Sequence, residues 1–169
     1  MWKYALLLIA SGIFYCASAM AADAQGVTFD DWKLECQKPQ DAKAEQCSLS
    51  QSQTLKENNT PILLASLGYA GERREPVLVV TTPLGIDLRA GVLLRLDNGL
   101  KAPLTVQQCT QRGCVASISF DPDTLAALSN AKMIQVGMLP YGSSQSLIVN
   151  ISPKGISKGM AELKSRLGN

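Results

Sequence analysis

Histidine is absent from this chain of 169 residues. Without an imidazole there can be no Ser–His–Asp triad, no Cys–His catalytic pair and no imidazole ligand for zinc. Charge is also scarce, because charged residues make up 18% of the sequence and the formal net charge is only +2. A nucleic-acid-binding protein needs a basic face that neutralises phosphates, so this balance argues against a nucleic-acid partner.

The composition does supply enough apolar residues for a folded core. Hydrophobic residues make up 46% of the sequence, which excludes a disordered chain. The length suits about one domain. No internal repeat, low-complexity block or long linker divides the chain. Composition alone therefore predicts a single folded domain and defines no molecular activity.

Residues 1–21 have the pattern of a secretory signal peptide. Lys3 is their only charged residue, and a short apolar stretch and a cluster of small residues follow it. The apolar stretch is shorter than the roughly 20 residues of a membrane span. Cleavage after Ala21 fits best and cleavage after Ala19 competes with it, while a retained anchor is the alternative.

This pattern predicts an exported mature domain over residues 22–169. The mature chain is expected to have no transmembrane span. We expect the mature chain to lie outside the cytoplasm.

Removing the signal peptide also removes Cys16 and leaves four cysteines, Cys36, Cys47, Cys109 and Cys114. An even number in an exported chain predicts two disulfides. Four cysteines allow three pairings, and the short separations favour the local ones, 36 with 47 and 109 with 114. Zinc ligation and thiol exchange are alternatives, but only the second pair has zinc-like spacing and there is no Cys-x-x-Cys. We expect no metal and no cofactor.

The mature chain is dominated by short segments in which apolar and polar residues alternate. Such alternation is typical of β-strands, and Gly, Pro, Asn and Asp residues punctuate it. An Asp97-Asn98-Gly99 sequence predicts a tight hairpin. The predicted strand regions are residues 29–36, 47–53, 62–70, 77–82, 86–88, 92–96, 104–109, 114–120, 133–139 and 146–151. About ten strands at this spacing predict an antiparallel sandwich or barrel.

Two helices interrupt the strands. Asp121 followed by Pro122 is typical of a helix start, with Leu125, Leu128 and Ala131 as its apolar side. Near the end, four apolar residues recur at helical spacing: Ile156, Met160, Leu163 and Leu167. This amphipathic pattern predicts a C-terminal helix docked on the core, with a membrane-surface helix as the alternative.

Several motifs in this order resemble the invasion-associated locus B family of Gram-negative bacteria. They are Phe29-Asp-Asp-Trp32 with Cys36 and Cys47, Pro83-Leu-Gly-Ile86 with Gly91, Cys109-x4-Cys114-Val-Ala116, and Lys154-Gly155. The resemblance spans residues 27–167 and implies an exported, disulfide-bonded, immunoglobulin-like β-sandwich. The destination that it implies is the periplasm, the outer membrane or the medium of a Gram-negative bacterium. The resemblance also implies a link to host-cell entry and no catalytic residues. Family members commonly place an aromatic soon after the glycine, and here we expect Met160 to fill that core position.

Other candidates for chemistry are two pairs of neighbouring carboxylates. If Asp30 and Asp31 are extended, their side chains point to opposite faces and cannot share a glycosidase-type site. Asp121 and Asp123 are better explained by helix capping and the helix dipole.

A charged loop and one tryptophan are the remaining candidates for recognition. Arg73 and Arg74 form a possible recognition loop, since guanidinium groups bind carboxylates and phosphates with two hydrogen bonds. Such a loop is more often simply solvated. Trp32 is expected to anchor the core.

Two classes of function compete. The favoured one is an exported, non-enzymatic binding protein that engages an unknown protein, envelope or host-surface partner and, by resemblance, contributes to invasion. The alternative is a periplasmic envelope enzyme, either a carboxylate-based hydrolase or a thiol exchanger, or else an envelope-maintenance factor.

Overall fold

The structure is a computed structural model that describes residues 26–37, 45–71 and 73–167. The predicted signal peptide and its cleavage sites lie outside these residues and stay predictions. No helix in the described ranges has the length and apolar character needed to cross a membrane.

The described chain forms ten strands and two helices. In chain order the strands are β1 (Thr28–Phe29), β2 (Trp32–Gln37), β3 (Gln46–Thr54), β4 (Pro61–Ala70), β5 (Glu75–Thr82), β6 (Val92–Leu96), β7 (Lys101–Thr110), β8 (Gly113–Ser119), β9 (Ile134–Met138) and β10 (Leu147–Ile151). The helices are α1 (Pro122–Asn130), between β8 and β9, and α2 (Ile156–Leu167), after β10.

All strand pairings are antiparallel, and the order across the sheet is β1-β2-β3-β4-β5-β8-β7-β6-β9-β10. Strand β7 pairs with two neighbours, because residues 101–104 pair with β6 and residues 105–110 pair with β8. Its register shifts between Val106 and Gln108. The sheet turns at β7, and β10 packs back over β3 and β4. This confirms the predicted mainly β, antiparallel fold. The first layer contains β1–β5, β8 and residues 105–110 of β7, and the second layer contains residues 101–104 of β7 with β6, β9 and β10. The two layers are continuous through β7.

The core lies between the layers and follows from the alternation of each strand. In β5, for example, Leu78 and Val80 are fully buried while Val77 and Val79 face outward and are half-buried. Trp32 on β2 is fully buried, which confirms it as a core anchor.

Both predicted helices are present. The carboxylate of Asp121 accepts a hydrogen bond from the Thr124 amide at 2.6 Å and caps α1, which ends one residue before Ala131. Helix α2 packs on the first layer through its buried face, formed by Ile156, Gly159, Met160 and Leu163. Docking on the core is therefore confirmed, and Met160 occupies the expected core position.

Two local predictions were wrong. Residues 86–88 form no strand, because Ile86 makes only an isolated bridge to Pro140. Asp30 and Asp31 are not extended, since they form the turn between β1 and β2 and Asp30 has a φ of 50°. The argument that strand alternation separates their side chains therefore does not apply.

Candidate functional site

Both disulfides join neighbouring strands. Cys36 on β2 and Cys47 on β3 are register partners, and so are Cys109 on β7 and Cys114 on β8. The sulfurs of Cys36 and Cys47 also lie near the Glu45 carboxylate. As a disulfide they carry no thiolate, and the thiolate is the form that binds a metal or attacks a substrate.

The two arginines of the predicted recognition loop have different surroundings. Arg74 has a φ of 52°, and its guanidinium donates to the backbone carbonyl of Leu167 at the end of α2. The carbonyl end of a helix carries partial negative charge, so this contact stabilises α2. The Arg73 guanidinium makes a long ion pair, 3.8 Å from a carboxylate oxygen of Glu75, and the Arg73 side chain is 88% exposed. Recognition by this loop stays a prediction. Both arginines are exposed, and the Arg74 guanidinium is already engaged by the Leu167 carbonyl.

An open groove of about 830 Å³ lies beside this loop, between strands β2–β5 and the end of α2. Tyr69 lines the groove, and its hydroxyl donates to the Met160 carbonyl at 3.4 Å. Burial raises the pKa of Tyr69, which keeps the phenol protonated. The hydroxyl therefore acts as a donor that holds α2 against the sheet.

Two carboxylates titrate below their ordinary range. The Arg89 guanidinium donates to the Asp87 carboxylate and lowers its pKa. The amide of Thr124 lowers the pKa of Asp121 in the same way. A general acid at neutral pH needs a raised pKa, so neither residue suits that role.

Hydrogen bonds clamp two loops together at one end of the second layer. These loops are residues 83–91, between β5 and β6, and residues 139–146, between β9 and β10. The Tyr141 amide donates to the Gly85 carbonyl, and the Asp87 amide donates to the Leu139 carbonyl, both at 2.7 Å. These bonds flank the bridge between Ile86 and Pro140, and Ile86 is buried in the core. Both loops are thus fixed without a regular strand.

The clamped loops expose large apolar side chains. Tyr141 is 76% exposed, Leu84 is 56% exposed and Leu88 is 53% exposed. Exposed Leu93 on β6 and Ile148 on β10 lie close behind the loops. We call these five residues the apolar end. Since exposed apolar clusters on rigid supports are typical of binding surfaces, the apolar end is the candidate site.

The outer face of the second layer continues the apolar end in two rows that cross the strands. The first row contains Pro103, Leu93, Gly137 and Ile148 on β7, β6, β9 and β10. The second row lies two residues further from the loops and contains Lys101, Arg95, Gln135 and Asn150. Apolar side chains therefore lie nearest the loops, and cationic and polar ones lie behind them.

Sequence reasoning missed the apolar end. The signal available was Tyr141, an aromatic residue placed between Pro140 and Gly142 in a predicted turn, where side chains are mostly exposed. The two rows could not be found in that way, because they depend on which strands pair and in which register.

Comparisons with known proteins identify relatives of this chain. A family model described as Invasion associated locus B (IalB) protein matches residues 32–164. Invasion protein B homologues from two strains of Brucella abortus are each 32% identical over 139 residues, covering 82% of this chain and 78% of theirs. A crystal structure of invasion associated protein B from Bartonella henselae has a TM-score of 0.74 at 20% identity, covering 85% of this chain and 97% of that one.

The fold and its surface define a disulfide-bonded, antiparallel β protein with two layers and an exposed apolar end. This chain belongs to the invasion associated locus B family, as its sequence motifs indicated. The match to the Bartonella henselae structure shows the shared fold. The names of the relatives relate the family to invasion, and none of them states an enzymatic activity.

Proposed function

We propose that this chain is an exported, non-enzymatic binding protein of the bacterial envelope that contributes to host-cell invasion through its apolar end. The observation that carries the proposal is the display of Tyr141, Leu84 and Leu88 on two loops that backbone hydrogen bonds hold together. Since these loops are already ordered, little conformational entropy is lost when a partner binds. The names of the relatives supply the link to invasion.

Export is supported by the cysteines and by the predicted signal peptide. The described residues contain four cysteines, and all four are in disulfides. Disulfides persist in oxidising compartments such as the periplasm and are rare in the cytosol. Periplasmic, outer-membrane-associated and secreted destinations are all compatible with this part of the proposal.

The non-enzymatic part is supported by the absence of groups tuned for catalysis among the residues that the structure describes. The sequence has no histidine. The cysteines of the described residues are bonded to each other, so none offers a thiolate. The pKa values of Asp87 and Asp121 are lowered, which suits charge pairing and capping.

The role in invasion is tested with a deletion strain complemented by variants. Strains carrying the natural chain, Tyr141→Ser with Leu84→Ser, or the control Met133→Ser are compared for entry into cultured host cells. Met133 is 41% exposed but lies at the opposite end of β9 from Tyr141. We expect the natural chain and the control to restore entry and the double variant to fail at equal protein levels. A deletion strain that enters as well as the wild type would contradict the proposal.

Export is tested separately, by cell fractionation with thiol labelling. We expect a shortened chain outside the cytoplasm that an alkylating reagent modifies only after reduction. One stoichiometric, rapidly labelled thiol in the native protein would favour the thiol-exchange alternative. An uncut cytoplasmic chain would contradict export.

A further inference from the structure

The surface formed by the apolar end and the two rows behind it becomes more polar in one direction, away from the loops. Loop residues Leu84, Leu88 and Tyr141 lie outermost, the row with Leu93 and Ile148 comes next, and the row with Arg95 and Lys101 follows. Leu93 and Arg95 point to the same side and are two residues apart, which is about 7 Å along a strand. The tip thus carries three exposed apolar side chains together with the exposed Arg89, which is paired with Asp87. Two further cations, Arg95 and Lys101, lie one step behind it.

The second row places two cations side by side, which is unfavourable. Arg95 and Lys101 are direct register partners on β6 and β7, and like charges in that position destabilise a sheet. No carboxylate of the described residues lies within ion-pair distance of either side chain. The nearby Asp97 carboxylate instead accepts from the backbone amides of Lys132 and Met133. These two cations are therefore free to bind an external anion.

Gly137 leaves a shallow recess of about 240 Å³ between Leu93 and Ile148. A Cβ atom at this position would meet its nearest neighbour, the Leu93 carbonyl, at 3.8 Å, an ordinary contact. Local packing therefore does not require glycine here, and glycine weakens a strand interior. A mid-strand glycine of this kind often marks the approach of an external group.

We propose that the apolar end docks on the surface of an anionic lipid bilayer. Apolar and aromatic groups enter such an interface to a depth of about 5–10 Å, and cations behind them meet the lipid phosphates. The spacing between the two rows matches that depth. A tyrosine at the tip suits the boundary, since its ring is apolar and its hydroxyl remains hydrated. This inference deepens the proposed function and rests on it by naming the partner of the same surface.

Vesicle sedimentation tests the inference with the full oxidised chain. We expect binding to phosphatidylcholine vesicles that contain phosphatidylglycerol, much weaker binding to pure phosphatidylcholine, and weakening with salt. Tyr141→Ser with Leu84→Ser should reduce binding about 10-fold or more, because two apolar side chains no longer insert. Arg95→Gln and Lys101→Gln should each reduce it about 5-fold.

Two matched variants serve as controls. Met133→Ser removes an exposed apolar side chain at the other end of β9, and Lys164→Gln removes an exposed cation on α2. Both should bind like the natural chain. Circular dichroism confirms that every variant is folded.

Three outcomes would overturn the inference. They are no vesicle binding, equal binding to pure phosphatidylcholine, or an equal loss of binding in the control variants and in the site variants. If Tyr141→Ser with Leu84→Ser blocks host-cell entry while the natural chain does not bind vesicles, the partner is a protein. The lipid assignment then fails and the proposed function stands. If vesicles bind as expected but the deletion strain enters normally, the role in invasion fails and the lipid assignment stands.

Discussion

Trp32 donates its indole N–H to the backbone carbonyl of Ser152 at 2.8 Å, although the two residues are 120 positions apart in the chain. Gln51 reinforces the same junction, because its side chain accepts from the Ser152 amide at 2.7 Å and donates to the Asp31 carbonyl at 2.9 Å. Two side chains of the first layer thus hold the end of β10 beside the β1–β2 turn.

Replacing Gln51 by leucine should destabilise the protein by about 2–3 kcal/mol. Gln51 is only 7% exposed, so the substitution leaves the Ser152 amide and the Asp31 carbonyl without their partner in a largely buried position. The measurement is urea denaturation followed by circular dichroism. Gln107→Leu is the control, since Gln107 is exposed and should change the free energy of unfolding by less than about 0.5 kcal/mol. Equal losses for the two variants would contradict the role of Gln51.

Replacing Gly159 by alanine should destabilise α2, against the usual trend for helices. Alanine normally stabilises a helix by about 1 kcal/mol relative to glycine. Here the new Cβ atom would lie 2.5 Å from Leu49 Cδ1, so we expect a net loss of about 1–3 kcal/mol by thermal and urea denaturation.

A double-mutant cycle supplies the control for Gly159. In a Leu49→Ala background the obstructing methyl groups are gone, and Gly159→Ala should become neutral or stabilising. A loss of the same size in both backgrounds would show that Leu49 is not the obstacle.

Each disulfide should contribute about 2–3 kcal/mol to the free energy of unfolding. Cys36 and Cys47 are 11 residues apart, and Cys109 and Cys114 are 5 apart, so the first bond should contribute slightly more in a chain-entropy account. Paired serine variants of each bond, compared by urea denaturation, measure both values. A loss confined to the Cys109–Cys114 variant would contradict this order.

The cap of α1 should lose its stabilising effect in acid. The pKa of Asp121 is lowered by the hydrogen bond from the Thr124 amide, so its stabilisation is complete above the ordinary carboxyl pKa of about 4. It is lost as the pH falls through the lowered pKa. Asp121→Ala should therefore be less stable than the natural chain at neutral pH, with a difference that shrinks below about pH 4.

Thermal melting across this pH range measures the effect of the cap. Asp123→Ala is the control, because Asp123 lies in the first turn without being the cap. A stability difference for Asp121→Ala that stays constant with pH would contradict the assignment.

Short-range patterns predicted most of the fold. The alternation in residues 92–96 and the capping pattern at Asp121 each depend on nearby residues alone, and both elements are present. The disulfide between Cys109 and Cys114 could be predicted because a hairpin brings these two residues opposite each other. Residues 86–88 failed as a strand because positive φ angles at Gly85 and Gly91 turn the chain on both sides of them.

Most of the candidate site could not be predicted in this way. Arg95 and Lys101 become neighbours only because β6 pairs with β7, and Leu93 and Ile148 share a row only because β9 lies between their strands. Strand order and register are long-range properties, and the local patterns of a single sequence specify them only weakly. Arg74 is a smaller example, since its contact with Leu167 joins the β4–β5 turn to the end of α2, which is distant in the chain.

Strand β7 belongs to both layers, since residues 101–104 pair with β6 and residues 105–110 pair with β8. Opening either layer therefore frays one half of a strand whose other half forms the edge of the other layer, which couples the two. Cooperative loss of both layers in a single step is the physical consequence, and native-state hydrogen exchange should give similar protection to the central amides of β5 and β9.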